Sequence, residues 1–242
     1  MYPFLERLFQ FFLPSQCLCC QSYLEEGEKR ICLDCLSKIR WIFPPFCTVC
    51  GAPFASTEVD CHPCSACMTK RKYFTMARAL GHYEGPIQKA IHRWKYEGKI
   101  DLSPLFGEWM AEKLPQYWDP KCFDLILPVP LHKQRLRERG FNQALLLARE
   151  LSGRTGIPYR KNILQKIRST LPQIQLSGAE REKAVRKSFH LLGGEELKGK
   201  TLLLVDDVYT TGATVNECSK VLMEAGAARV DVFTLTHAVK IS

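Results

Sequence analysis

The sequence has no hydrophobic run long enough to cross a membrane. Its apolar start, MYPFLERLFQFFLPSQC, is interrupted at Glu6 and Arg7 and ends at Pro14, well short of the roughly 20 residues that a spanning helix needs. No basic segment precedes this stretch, and no small-residue cleavage site follows it. We interpret residues 1–14 as a short amphipathic helix that packs on the protein, with a peripheral membrane anchor as the alternative. We therefore expect a cytoplasmic protein without an integral membrane segment.

Acidic residues are in the minority. The chain has 34 lysines and arginines against 25 acids, which gives a formal charge of +9 over its 242 residues. This charge suits an anionic partner such as nucleic acid or a phosphorylated metabolite, and it does not choose between them. The length is sufficient for one large domain and a small one.

Cysteine is scarce after residue 67, where only Cys122 and Cys218 occur. The other ten of the twelve cysteines lie between Cys17 and Cys67. A secreted disulfide framework normally extends through a small chain, so this clustering favours metal binding. Four C-x-x-C pairs can supply two tetrahedral zinc sites. The predicted ligands are Cys17, Cys20, Cys32, Cys35, Cys47, Cys50, Cys64 and Cys67. Both sites are predicted to be structural, since four thiolates leave no position open for a substrate.

The simplest assignment gives the first two pairs to one zinc ion and the last two pairs to the other. An interleaved arrangement, in which alternate pairs share a metal, is the alternative. Cys19 and Cys61 are left over. Because Cys61 and Cys64 also form a C-x-x-C pair, Cys61 could replace Cys67 at the second site.

The pattern changes at about Tyr73, so we predict a ribbon-like segment over 15–70 and an α/β domain over 71–242. Strands are predicted in MARALGHYEG, in FDLILPVPLH from Asp124 to Val129, in KGKTLLLV and in RVDVFTLTHA. Helices are predicted in PIQKAIHRWKYEG, from Leu105 to Leu114, in FNQALLLARELSG ending near Gly153, and in ATVNECSKVLMEAG. This alternation predicts a parallel sheet that helices cover on both faces.

The stretch LLLVDDVYTTGAT, residues 202–214, places two carboxylates at the end of a buried strand. In such a sheet, ligands bind beyond the carboxyl ends of the strands. Paired carboxylates accept hydrogen bonds from vicinal hydroxyls, and a helix starting near Thr214 offers free amides to a phosphate. The predicted ribose 5-phosphate site comprises Asp206, Asp207, Val208, Tyr209, Thr210, Thr211, Gly212, Ala213 and Thr214.

A metal pair, an acid–base dyad and a plain strand-end turn are the rival interpretations of this stretch. Adjacent side chains on an extended chain point to opposite sides, which argues against a tight dyad.

The same stretch resembles the phosphoribosyl-pyrophosphate signature of type I phosphoribosyltransferases. Together with the four C-x-x-C pairs, HRWKYEGK and PVPLHKQRLRERGFNQALLLA, it makes nearly the whole chain similar to the ComF family. This resemblance implies a double zinc ribbon followed by a type I phosphoribosyltransferase-like domain. It also implies a link to natural competence and to phosphoribosyl pyrophosphate bound with Mg²⁺.

The resemblance further assigns a pyrophosphate loop to PVPLHK, with accessory anion contacts elsewhere. The loop comprises Pro130, Leu131, His132 and Lys133, with Arg135, Arg137 and Arg139 close by and with Lys95 and Arg181 as accessory contacts. Without the resemblance, this basic run is more typical of a solvated helix face. A mobile loop is implied from Arg168 to Lys187, although Ala184 stands where the family usually has the asparagine of an RxxN motif.

Two functions therefore remain open: a magnesium-dependent phosphoribosyltransferase with an unknown acceptor, and a non-catalytic module that senses the pyrophosphate or binds single-stranded DNA among DNA-uptake proteins. Purine salvage is disfavoured, since Thr210 stands where those enzymes carry an aspartate. Glutamine-dependent amidotransfer is disfavoured as well, since it needs an N-terminal cysteine and a glutaminase domain, whereas Met1 is followed by Tyr2.

Overall fold

The computed structural model describes residues 15–28, 30–56, 60–167, 188–193 and 195–238. The helix predicted over 1–14 lies outside these residues. The strands are β1 (Ala77–His82), β2 (Leu125–Pro128), β3 (Leu164–Lys166), β4 (Phe189–Leu191), β5 (Thr201–Tyr209) and β6 (Arg229–His237). Four of them form a sheet in the order β1-β6-β5-β2, in which each neighbouring pair is parallel, while β3 and β4 form an antiparallel pair.

Helices lie ahead of β1 and between the later strands. They are α1 (Leu33–Ser37), α2 (Ser65–Thr69), α3 (Gly85–Tyr96), α4 (Leu102–Lys113), α5 (Lys133–Arg139), α6 (Gln143–Thr155) and α7 (Ala213–Glu224). Short 3₁₀ turns occur at Leu114–Gln116, Pro120–Cys122 and Glu195–Leu197. The predicted parallel sheet with flanking helices is confirmed. Among the described residues, no helix combines the length and hydropathy needed to cross a membrane.

The side chains of β5 divide the core between the two faces of the sheet. Leu203 and Val205 pack on the first face, in a cluster with residues of α3, α4 and α6. Leu202 and Leu204 pack on the second face, with residues of α7 and of the β3–β4 pair. This alternation is the period of two expected of a strand that is buried on both sides.

The cysteine-rich segment covers the outer edge of β1, which is the end strand of the sheet. Ile42 N donates to Leu80 O at 2.8 Å, and His82 N donates to Arg40 O at 2.9 Å. Ala77 N donates to Val49 O at 2.7 Å. Backbone groups that an end strand would leave unpaired are therefore satisfied by the preceding segment.

Several predicted boundaries are wrong. Helix α6 continues through Gly153 to Thr155 and is capped by Gly156, whose φ of 76° suits a left-handed cap. Helix α4 begins at Leu102, ahead of the predicted start at Leu105. Strand β5 continues beyond Val205 to Tyr209, because β6 runs beside it as far as the pair Tyr209↔His237.

Candidate functional site

A cavity of about 440 Å³ opens at the carboxyl end of the sheet. Its walls include the end of β5 with the loop that follows, the loop between β2 and α5 with one side of α5, and the end of α3. Most of the predicted site residues line it, namely Lys95, Pro130, Leu131, His132, Arg135, Arg139, Asp206, Asp207, Val208, Tyr209, Thr210, Gly212 and Thr214. The topology therefore brings together groups that are far apart in the sequence.

The two aspartates lie within β5, just past the last β2–β5 pair, Pro128↔Val205. Asp207 Oδ1 lies 2.9 Å from Lys95 Nζ, and these two side chains are only 12% and 13% exposed. Lys95 is therefore the charge partner of an acid in the pair. The sequence interpretation treated it only as an accessory contact for an anion.

Asp206 has a different environment. Its Oδ1 accepts a hydrogen bond from Asp207 N at 2.9 Å. Burial, assisted by the neighbouring Asp207 charge, raises the pKa of Asp206 to about 7, although Lys95 and Lys166 oppose the rise. Two adjacent carboxyl groups thus differ in their surroundings, as the strand geometry requires.

The β5–α7 loop, residues 210–212, connects the acid pair to the start of α7. Gly212 caps the helix with a φ of 74°, a conformation that glycine adopts without the steric penalty of a side chain. A Cβ at this position would overlap the hydroxyl and ring of Tyr209. Ala213 N donates to Thr211 Oγ1 at 3.4 Å, so these two predicted residues complete the turn into the helix.

The predicted pyrophosphate loop forms the opposite wall. His132 caps α5, because its Nδ1 accepts a hydrogen bond from Gln134 N at 3.3 Å. Arg135 and Arg139 are half-buried and line the cavity, whereas Lys133 and Arg137 are exposed on the same helix. The basic run is therefore divided: part of it faces the site, and part is the solvated helix surface that its composition suggests.

Sequence reasoning missed several lining residues. Tyr83, Tyr96, Lys166 and Ala238 also line the cavity. Tyr83 directly follows β1 and Ala238 directly follows β6, so the rule that ligands bind beyond the carboxyl ends of strands could have found both. The same rule does not identify Lys166, because it belongs to the short strand β3, which is outside the parallel sheet. Arg181 and the predicted closing loop, Arg168 to Lys187, lie outside the described residues.

The cysteines converge in two groups, and in each group the Sγ atoms lie within 4.8 Å of one another. The first cysteine cluster comprises Cys17, Cys20, Cys32 and Cys35, and the second cysteine cluster comprises Cys47, Cys50, Cys64 and Cys67. The sequential assignment is therefore correct, and the interleaved alternative is wrong. Cys19 and Cys61 belong to neither cluster in the part of the chain that the structure describes.

The geometry of both clusters suits tetrahedral zinc. The Cys20–Cys32 and Cys50–Cys64 Sγ distances are both 3.7 Å, close to the edge of about 3.8 Å that Zn–S bonds of about 2.3 Å give in a tetrahedron. The backbone amides of Cys50 and Cys64 donate to Cys47 Sγ at 3.4 and 3.2 Å. These donors favour the thiolate, which is the form that binds metal.

Comparison with known proteins matches two family models to different parts of the chain. A double zinc ribbon model matches residues 8–68, and a phosphoribosyl transferase domain model matches residues 139–238. The chain is 30% identical to competence protein ComFC of Bacillus subtilis over 224 residues, which cover 88% of this chain and 86% of that protein. The chain belongs to the ComF family.

Other members of the ComF family are similar over most of their length. Competence protein F of Haemophilus influenzae is 29% identical over 234 residues, covering 94% of this chain and 99% of that one. The DNA utilization protein YhgH of Salmonella typhimurium is 27% identical over 226 residues, covering 92% and 97%.

Among solved structures, the glutamine phosphoribosylpyrophosphate amidotransferase of Bacillus subtilis, complexed with ADP and GMP, aligns with a TM-score of 0.37 and 28% identity. The alignment covers 55% of this chain and 25% of that one, so this ComF-family chain spans about a quarter of the amidotransferase's length.

Proposed function

We propose that this chain binds phosphoribosyl pyrophosphate, together with magnesium, in the cavity at the carboxyl end of the sheet. The observation that carries the proposal is the composition of that cavity. Its lining contains two adjacent carboxylates, the β5–α7 loop at the start of α7, and four cationic side chains: Lys95, Arg135, Arg139 and Lys166. A polyhydroxylated ligand with phosphates at both ends matches all three features.

Each part of the ligand has a chemical counterpart. The carboxylates of Asp206 and Asp207 would accept hydrogen bonds from the two ring hydroxyls. The 5-phosphate would lie at the β5–α7 loop, where the first-turn amides and the positive end of the α7 dipole favour an anion. Arg135 and Arg139 would hold the pyrophosphate, since guanidinium groups form paired hydrogen bonds with phosphate oxygens.

If the chain is also an enzyme, the reaction is displacement at the anomeric carbon: an acceptor forms a bond to that carbon, the bond to pyrophosphate breaks, and pyrophosphate leaves. The residues of the cavity would orient the sugar and neutralise the charge that develops on the leaving group. Magnesium would be bound mainly by the ligand's own oxygens and by water, and it would supply further charge neutralisation. The acceptor is not identified by the side chains of the cavity.

The decisive measurement is calorimetric titration with phosphoribosyl pyrophosphate in the presence and absence of magnesium. We expect saturable binding that depends on magnesium, and at least a tenfold loss in Asp207→Asn, since hydrogen bonds to charged groups contribute about 1.5–3 kcal/mol. Arg137→Gln is the matched surface control for Arg135→Gln, because both arginines lie on α5 and only Arg135 lines the cavity. Equal affinities for wild type and Asp207→Asn would refute the site.

Single-stranded DNA is a second candidate ligand, supported by the formal charge of +9 and by the competence and DNA-utilization names of the relatives. Such binding would fall steeply as salt rises, because basic side chains displace counterions from the phosphates. Exposed Lys133 and Arg137 are the residues to replace together. Oligonucleotide affinity that is unaffected by both salt and this double substitution would exclude the candidate.

The same proposal treats residues 15–70 as the double zinc ribbon and 71–242 as the phosphoribosyltransferase-like domain. It also places the chain in the cytoplasm, where a reducing environment keeps the thiols of the two cysteine clusters available for zinc.

A further inference from the structure

The segment that leaves the second cysteine cluster lies directly behind the β5–α7 loop. Cys67 is the last ligand of that cluster, and the chain reaches Arg71 four residues later. Tyr73 N donates to Asn216 Oδ1 at 2.8 Å, and Asn216 Nδ2 donates to Arg71 O at 3.4 Å. One side chain of α7 thus holds the exit of the second cluster at two points.

Asn216 also closes the first turn of α7. Its backbone N donates to Gly212 O at 2.8 Å, so the residue that binds the exit segment also fixes the end of the β5–α7 loop. A displacement of the exit segment would therefore reach the loop through a single residue.

Tyr209 makes a second, independent connection. It is buried and belongs to the same hydrophobic cluster as Cys47 and Cys50. Its ring meets that of Phe74 edge-on, with the centroids 6.4 Å apart. On its other side, the hydroxyl and ring fill the space beside Gly212 that a Cβ would occupy. The loop thus rests on a tyrosine that packs against the second cluster.

The first cysteine cluster has different neighbours. It packs on the first face of the sheet. Arg93 Nη1 of α3 donates to Leu18 O at 3.4 Å, and Arg30 Nη1 lies 3.4 Å from Asp101 Oδ2. These contacts reach α3 and the start of α4. The two metal sites are therefore attached to different parts of the molecule.

We propose that the second cysteine cluster sets the position of the β5–α7 loop, and that Tyr209 and Asn216 act as its positioning residues. Metal bound at this cluster would then control the affinity of the loop for a sugar phosphate, whereas metal at the first cluster would not. The identity of the ligand rests on the proposed function, but the connection between cluster and loop does not.

The test compares two serine substitutions, Cys64→Ser in the second cluster and Cys20→Ser in the first. Neither cysteine is fully buried, so each change removes a zinc ligand with little loss of packing. Zinc content, amide hydrogen exchange over residues 209–216 and the dissociation constant for ribose 5-phosphate are measured for each full-length variant. We expect both variants to lose one zinc ion.

Only Cys64→Ser should show faster exchange in the loop, together with binding that is weaker by about fivefold or more, the loss expected when one supporting hydrogen bond fails. Equal loop exchange in the two variants would overturn the proposal. If wild type binds neither ribose 5-phosphate nor phosphoribosyl pyrophosphate with magnesium, the proposed function fails, while the exchange comparison still decides the connection.

A second pair of variants covers the case in which Cys64→Ser does not fold. Asn216→Ala leaves both cysteine clusters intact and removes the two contacts with the exit segment. Glu224→Ala, in the last turn of the same helix, is its control. We expect Asn216→Ala to retain two zinc ions, to exchange faster over residues 209–216 and to bind ribose 5-phosphate about fivefold more weakly. Exchange and affinity equal to those of Glu224→Ala would contradict the proposal.

Discussion

The two cysteine clusters have the same four ligands and nearly the same sulfur geometry, yet they lie in different surroundings. The first packs on the face of the sheet that carries α3, and the second packs on the opposite face behind the β5–α7 loop. Each therefore supports a different wall of one cavity. If the proposed connection holds, the two clusters affect the cavity differently because they pack against different residues, although both have four cysteine ligands.

The two aspartates of the acid pair also lie on opposite faces of the sheet. Asp207 pairs with Lys95 of α3 on the first face, whereas Asp206 follows Leu202 and Leu204 in the alternation of β5, which places it on the second. Because adjacent side chains of a strand point in opposite directions, the cavity receives one carboxylate from each half of the core. The following substitutions test whether the two halves are as separate as this geometry indicates.

The largest effect is expected at the junction between the second cluster and the sheet. Phe74→Ala should lower the free energy of unfolding by about 4 kcal/mol, because it removes a buried aromatic ring. Ile39→Ala, at the corresponding junction of the first cluster, should cost about 3 kcal/mol. Ribose 5-phosphate affinity, measured well below the unfolding transition, should fall only in Phe74→Ala. An equal fall in ribose 5-phosphate affinity in both variants would show that the two clusters do not differ in their effect on the loop.

Gly212→Ala should lower the free energy of unfolding by roughly 3 kcal/mol, which is less than Phe74→Ala. The substitution combines a strained left-handed backbone with overlap between the new Cβ and Tyr209. Gly98 has a similar φ of 66°, and nothing lies within 4 Å of the position that a Cβ would take there. Gly98→Ala therefore isolates the backbone strain, about 1 kcal/mol. Urea unfolding of the two variants gives the difference. Equal costs would show that Tyr209 does not restrain the loop.

Lys95→Met tests the first half of the cavity. It leaves the Asp207 carboxylate, 12% exposed, without its cation, and we expect a loss of about 2 kcal/mol in the free energy of unfolding. Lys89→Met, at an exposed position of the same helix, should change stability by no more than about 0.5 kcal/mol. Indistinguishable unfolding curves would mean that the ion pair contributes nothing.

The last expected effect is a pH dependence at Asp206. Its pKa is raised from the usual 3.8 to about 7 in the folded protein, so the folded state retains a proton that the unfolded chain releases. This contribution to stability is therefore lost as pH rises from about 4 to about 7. Asp206→Asn should flatten that part of the stability curve, as measured by urea unfolding at pH 5 and pH 8. Parallel wild-type and variant curves would contradict the raised pKa.

Much of the sheet was predictable because buried parallel strands are aliphatic runs bounded by turns. The end of β5 was not. Its aliphatic residues stop at Val205, but the ladder continues to Tyr209 because β6 runs beside it. Partners of this kind are set by tertiary structure, which a local pattern does not contain. Gly153 misled because two glycines lie near the end of α6, and the one that caps the helix in the left-handed conformation is Gly156.

The site shows the same limit. The sequence pattern identified the acids, the threonine-rich loop and the cysteine ligands from local spacing. It did not show that Lys95 pairs with Asp207, since a polar position on an amphipathic helix is normally solvated. Nor did it show that Tyr209 supports Gly212, because an aromatic residue within a binding motif carries no sign of the surface on which it packs.

The covering of β1 by residues 40–42 and 49 has a practical consequence for anyone who shortens this protein. A chain beginning at residue 71 would retain the residues that line the cavity, but the outer edge of β1 would be left without its backbone partners. Such edges recruit other polypeptides by edge-to-edge pairing and promote aggregation. The cysteine-rich segment thus protects the edge of β1 from pairing with other chains. We expect the shortened chain to self-associate in a light-scattering measurement, while the full chain stays dispersed.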